Sequence, residues 1–316
     1  MAGAAVSRAT SRGRAPEYAV SGWGLLLPAL AGFFYACSAL LLKGAFVQGA
    51  NTWRVTLLSN LLTGALFQLF WFSGSRFTEW SPLLLVPIAA GGTFFLGQIL
   101  TFLALQGGHI SVATPVMGCK VLIIVAISAL VLKQPVPLEW WLGAALVAIS
   151  VALLSGGKSR PDEGRHGRML TVFWAFLSAL MFSITDLIIQ EISDDLPPFA
   201  FIPVVFGTQA VLSLALIPWC RFGQSRPALG KRASLWLGGG VIFNTLQILL
   251  MALSLSTFGR AAEINIIFNS RGLWSVILAA AFARYFASGE HNLPRSVLVA
   301  RLIGAALLLA AIVVVL

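Results

Sequence analysis

The chain has 316 residues, 58% of them apolar and only 10% charged, against about 25% charged in a soluble domain. That composition excludes a water-covered globule of this size. The net charge of +10 comes without zinc-finger spacing or aromatic–basic interleaving, which excludes nucleic acid as the partner. Lipid is therefore the solvent for most of the surface, and Lys and Arg gather in short loops and tails.

The N-terminal tail, residues 1–22, carries Arg8, Arg12 and Arg14 among Ser and Ala. No signal-peptide cleavage layout follows, because the next apolar stretch runs on as a full span. The tail reads as cytoplasmic in a bacterial inner-membrane protein; a short organelle transit peptide is the alternative. About ten spans follow: Gly24–Ala45, Thr52–Phe72, Pro82–Leu105, Ile110–Leu132 and Leu138–Ser155 in the first half. The second half holds Met169–Gln190, Pro198–Cys220, Ser234–Leu255, Ala261–Ala283 and Pro294–Leu316. Most reach the roughly 20 residues that cross a bilayer. Strand-like alternation is absent, so the expected fold is an all-α polytopic bundle.

A polar linker, Gly156–Arg168, splits the chain into five-helix units at 23–155 and 169–316. Two stretches recur in the same order in each unit. Gly108–Lys120 lies gaplessly over Gly259–Arg271, and Leu142-Gly143-Ala144-Ala145-Leu146 resembles Ile303-Gly304-Ala305-Ala306-Leu307. An odd number of spans per repeat forces the two units to be inverted, an architecture that places a binding site near the midplane.

With that layout the chain resembles the drug/metabolite transporter superfamily, in particular its EamA-type ten-span members. The residues that carry the resemblance are the short hairpin before each fourth span, Pro115, Arg54, and the Leu-Gly-Ala-Ala-Leu start of span 5 echoed in span 10. Members often close the fourth span with a Gly-Glu pair; this chain has Lys133-Gln134 there, and Arg284-Tyr285 in the second half. The resemblance implies transport of a small metabolite by alternating access. It leaves the substrate open.

Lys120 and Arg271 carry the sharpest chemical signal. They are equivalent in the repeat, and each sits near the middle of its span. A charge there costs about 2.5–3.5 kcal/mol on insertion scales. Two cations converging on one site favour an anionic group such as a carboxylate or phosphate. The plainer alternative is that each pairs with an internal carboxylate and locks helices. Asp186 and Glu263 are the available carboxylates, as ion-pair partners of those cations or, for Asp186, as a proton-coupling group. Further candidate lining residues are Thr114, Gln98, Asn244, Gln247, Asn265, Asn269 and Tyr35, with interhelical hydrogen bonding the alternative for each.

An enzyme reading has no support. His109, His166 and His291 lack metal-ligand spacing, and Cys37, Cys119 and Cys220 form neither a disulfide framework nor a metal motif. No catalytic residue, metal or cofactor is expected. The expected partners are a small-molecule substrate, the lipid bilayer, protons as a candidate coupling ion, and a second copy of the chain as a candidate homodimer. The expected function is a secondary transporter of a small anionic organic metabolite; a scramblase-like lipid handler and a non-conducting structural partner are the alternatives.

Orientation is contested within the sequence. With both termini cytoplasmic, Arg8, Arg12, Arg14, Arg76 and Lys133 lie inside as the positive-inside rule prefers. Lys158, Arg160, Arg165, Arg168, Arg221, Arg226, Lys231, Arg232 and Arg295 then lie outside. The first half usually dominates, which favours cytoplasmic termini. A reporter-fusion scan across Gly156–Arg168 therefore reports an external linker; cytoplasmic labelling there overturns this topology.

Overall fold

The structure, a computed structural model, describes residues 22–73, 82–106, 116–154, 165–221, 230–281 and 295–315. Among them the regular structure is helical. The helices of the first half are α1 (Gly22–Val47), α2 (Thr52–Gln68), α3 (Leu85–Gln106), α4 (Lys120–Leu130) and α5 (Leu138–Leu154). Those of the second half are α6 (Arg165–Ile192), α7 (Pro198–Ser213), α8 (Lys231–Phe258), α9 (Ala261–Phe268), α10 (Arg271–Ala281) and α11 (Arg295–Val315). Among the described residues six segments are long and apolar enough to cross a bilayer: Gly24–Phe46, Thr52–Phe72, Pro82–Thr101, Met169–Ile192, Pro198–Cys220 and Lys231–Phe258. Val116–Leu130, Leu138–Leu154 and Leu302–Val315 are shorter apolar helices. The chain is thus a polytopic all-α membrane bundle.

α6 starts at Arg165, so the last four residues of the polar linker form its first turn, ahead of the apolar span Met169–Ile192. A helix of this length, 28 residues, outreaches the hydrocarbon and carries polar residues beyond it. The ninth span, expected as one helix, is two. α9 ends at Phe268, Asn269 and Ser270 form a turn, and α10 restarts at Arg271. At the break Asn269 Nδ2 donates back to the Asn265 carbonyl at 2.7 Å, alongside the Asn269 backbone bond to the same carbonyl at 3.1 Å.

The closest helix pairings are α1 with α8, α3 with α6, α5 with α11, and α2 with α7. Exchanging the halves turns the first pair into the second and maps the other two onto themselves. Hydrogen bonds obey the same exchange. Ser38 Oγ of α1 donates to the Gly240 carbonyl of α8 at 2.7 Å, and Ser178 Oγ of α6 donates to the Gly97 carbonyl of α3 at 2.9 Å. Each half's first helix is thereby stapled to the other half's third.

The recurring Gly-Ala stretch has a packing reason. A Cβ on Gly143 would collide with Val315 and stand 3.1 Å from Ile266 Cδ1; one on Gly304 would stand 3.0 Å from the Ser150 carbonyl. Both glycines let α5 and α11 approach closely, and Ser150 Oγ seals that seam by donating to the Gly304 carbonyl at 2.6 Å. Lys133 accounts for the departure from the Gly-Glu pattern. Its φ of 53° lies in the left-handed region that glycine adopts without cost, while Gln134 Nε2 donates to Glu191 Oε1 at 2.6 Å. The chain keeps the turn with a strained lysine and keeps an interhelical bond through the amide.

Overpacking a tight seam costs about 1–3 kcal/mol. Gly143→Leu and Gly304→Leu are each expected to destabilise by that amount in a thermal melt of the detergent-solubilised protein. Gly92→Leu, at a position with open space beside it, is expected to melt with the wild type.

Candidate functional site

The two interior cations open matching helices. Lys120 is the first residue of α4, after a turn at Cys119, and Arg271 is the first residue of α10, after the turn at Asn269–Ser270. The breaks are mild. Ile123 N still bonds the Cys119 carbonyl, and Gly272 N and Trp274 N bond the Asn269 and Ser270 carbonyls at 2.9 and 3.1 Å. These three backbone donors are spent within the chain. Asn265, which bonds the Asp186 partner of Lys120, lies on the helix that leads into the turn before Arg271.

Their surroundings differ. Lys120 Nζ donates to Asp186 Oδ2 on α6 at 2.6 Å, with the side chains 17% and 9% exposed. Asn265 Nδ2 donates to the same oxygen at 2.6 Å, and the Phe182 ring lies 5.8 Å from the ammonium. Ser183 Oγ adds a bond to the Lys120 carbonyl. One charge pair and one amide thus tie α4, α6 and α9 together. Breaking one partner out of such a pair strands a buried charge, typically a cost of about 3–5 kcal/mol.

Arg271 has no carboxylate partner among the described residues. Its guanidinium carbon lies 4.7 Å from the Tyr35 ring of α1 and 4.7 Å from the Phe268 ring. Those rings are 5.9 Å apart and 80° to each other. Rings on opposite faces of the guanidinium would stand nearly twice 4.7 Å apart, so the rings make a corner that covers one side. Cation–π contact stabilises the ion by about 0.5–2 kcal/mol without cancelling its charge. α1 reaches this break through Gly32, where a Cβ would stand 2.9 Å from the Phe268 carbonyl and from Ser270 Oγ. The Ser270 hydroxyl is buried and without a hydrogen-bond partner.

The remaining predicted residues divide by location. Asn265 lies on α9 and bonds Asp186, while Asn269 lies in the turn after it, and both side chains also bond back to carbonyls of α9. Glu263 neutralises neither interior cation. Its Oε2 pairs with Arg260 at 3.0 Å, and Trp140 Nε1 donates to its Oε1 at 3.0 Å. It caps one end of the bundle because it stands only two residues from the start of α9. There Gln190 Oε1 also accepts from Ala261 N at 2.8 Å. Gln98 follows Gly97, which abuts Phe182, and its Oε1 is buried without a partner. Gln247 is buried and Asn244 partly so, on α8, where Phe243 packs on Phe34 beside Tyr35. Thr114 lies outside the described residues. Phe268, Phe182 and Gly32 were not singled out from sequence; the glycine and the aromatics have no periodic signature in an apolar span. Among the described residues no group of His, Cys, Asp and Glu could hold a metal ion.

Comparison with known proteins agrees with this architecture. Residues 22–156 match the EamA-like transporter family. A stretch of 205 residues is 21% identical to an uncharacterized transporter of Archaeoglobus fulgidus and covers 65% of each chain. A stretch of 74 residues is 38% identical to ArnE of Pseudomonas fluorescens, a probable 4-amino-4-deoxy-L-arabinose-phosphoundecaprenol flippase subunit. It covers 23% of this chain and 62% of that one, so the matches span less than two thirds of either relative's length. A solved crystal structure, 16% identical, superposes with a TM-score of 0.70 over 92% of this chain and 95% of that one, a likeness of fold.

Asn265→Leu removes a hydrogen bond to a charged group, worth about 1.5–3 kcal/mol. A loss of stability of that size is expected in thermal melts. Asn244→Leu, with no such bond to lose, is expected to change stability by less than about 0.5 kcal/mol.

Proposed function

This chain belongs to the drug/metabolite transporter superfamily, and on that premise we propose that it is a secondary transporter of a small anionic organic metabolite, working by alternating access. The observation that carries the reading is Arg271. It opens the 11-residue α10 after the 8-residue α9 and the turn between them, far from either end of its span, and has no carboxylate beside it among the described residues. An anionic substrate group arriving at the open side of the guanidinium satisfies that charge through paired N–H bonds. Tyr35, Phe268 and Asn269 surround the same point; Asn244, Gln247 and Gln98 extend the lining on α8 and α3. Lys120 acts on the substrate through its field rather than by contact, because Asp186 holds its ammonium.

The exchange-related pairings of α1 with α8 and α3 with α6 support two inverted five-helix repeats as the moving frame. In this reading each rocking unit draws helices from both repeats. The bacterial inner membrane is the proposed location, with proton coupling or substrate exchange as the driving reaction and a homodimer as a candidate assembly.

A second reading has one specific support, the match to a subunit named as a lipid-phosphate flippase. There an anionic lipid head would pass Arg271 while its chain stays in the bilayer. Water-soluble anions compete for the site in the first reading and fail to do so in the second.

In proteoliposomes, Arg271→Gln is expected to abolish uptake while membrane insertion and melting behaviour persist. Uptake kinetics unchanged from wild type would remove Arg271 from the site and with it the anion reading.

A further inference from the structure

The interior charges give a ledger that narrows the substrate. Among the described residues, three charged side chains lie at or beside the breaks: Lys120 and Asp186, joined at 2.6 Å, and Arg271, which the Tyr35–Phe268 corner holds without neutralising. Their sum is a single positive charge. The backbone donors named above are used internally and add little to it. Asn265 and Asn269 are neutral, and Glu263 is cancelled by Arg260 at the end of the bundle.

Resting on the transporter reading above, we propose that Asp186 is a specificity-setting residue: by cancelling Lys120 it leaves room for one negative charge, so the substrate head is a monoanion. A carboxylate and a phosphodiester both qualify. A dicarboxylate or a phosphomonoester dianion does not, because its second charge stays uncompensated in a low-dielectric interior. The sequence alone, with two cations equivalent in the repeat, points equally to a dianion. The 2.6 Å pair withdraws one of them.

The same ledger makes Asp186 a switchable element. Without its carboxylate the region carries two positive charges and suits a dianion. Without Lys120 it carries none, and Asp186 is left to oppose any arriving anion. Removing both together restores the single charge. The reversal of the monoanion–dianion order in Asp186→Asn separates a charge-setting role from a merely structural one, in which the response to both anion classes would fall together and the order would stay.

The test uses the full chain in nanodiscs and reads ligand-induced thermal stabilisation against size-matched monocarboxylates, phosphodiesters, dicarboxylates and phosphomonoesters. The wild type is expected to respond to monoanions at concentrations about tenfold or more below those for dianions, a step that part of one unit-charge interaction supplies. Asp186→Asn is expected to reverse that order, Lys120→Gln to lose the response to anions, and the Lys120→Gln/Asp186→Asn double variant to regain the monoanion preference. Within the monoanions, the carboxylate and phosphodiester arms tell a metabolite from a lipid-type head. A wild type that prefers dianions overturns the proposal even where Asp186→Asn fails to fold. So does a double variant that behaves like Lys120→Gln. Either result leaves anion transport standing. Arg271→Gln that responds to anions as the wild type does takes down both the ledger and the reading beneath it.

Discussion

A charge inside a bilayer must find its counter-charge inside the protein, and the bond between Lys120 and Asp186 is where this chain meets that demand. The pair does more than neutralise a lysine. With Asn265 it ties the fourth span to the sixth and the ninth at one oxygen atom. Every feature of the site follows from how that atom is spent. Asp186 is committed to Lys120 and Asn265, and Arg271 is left without a carboxylate among the described residues. α1 comes close there at Gly32, and Tyr35 lies against the guanidinium.

The scaffold is nearly symmetric and the site is not. Ser38 with Gly240 and Ser178 with Gly97 are the same staple made twice, and Gly143 with Gly304 is one seam seen from both sides. Lys120 and Arg271 occupy equivalent places at equivalent breaks, yet one is paired and the other is shielded by rings. On the proposed alternating-access reading, a symmetric frame lets the two openings be of similar energy, and an asymmetric centre gives the proposed anion a single place to put its charge.

Much of this was legible in the chain itself. Lipid as solvent, the helical spans, the two cations and the Gly-Ala echo follow from composition and spacing, because burying charge or crowding a seam leaves a mark on residue type. What the cations face was not legible. Asp186 and Glu263 look alike in sequence, and only the packing of α6 against α4 sends the first to Lys120, while Glu263 stays with Arg260 at the end of the bundle. The break in the ninth span was likewise hidden. Asn269 reads from sequence as a lining residue, and nothing in its spacing announces the turn it forms with Ser270, where its amide bonds back along its own helix. Lys133 shows the reverse case: a departure from the family pattern that the backbone, at φ 53°, still obeys.

The central claim is that Arg271 alone among the interior charges awaits its partner from outside the chain. The most direct measurement is an experimental structure of the protein with a bound monocarboxylate. The expected result is an oxyanion on the open side of the Arg271 guanidinium, opposite the Tyr35–Phe268 corner, with the Lys120–Asp186 pair intact. An anion held by Lys120 with Asp186 turned away, or Arg271 already paired with a carboxylate of the chain, would contradict it.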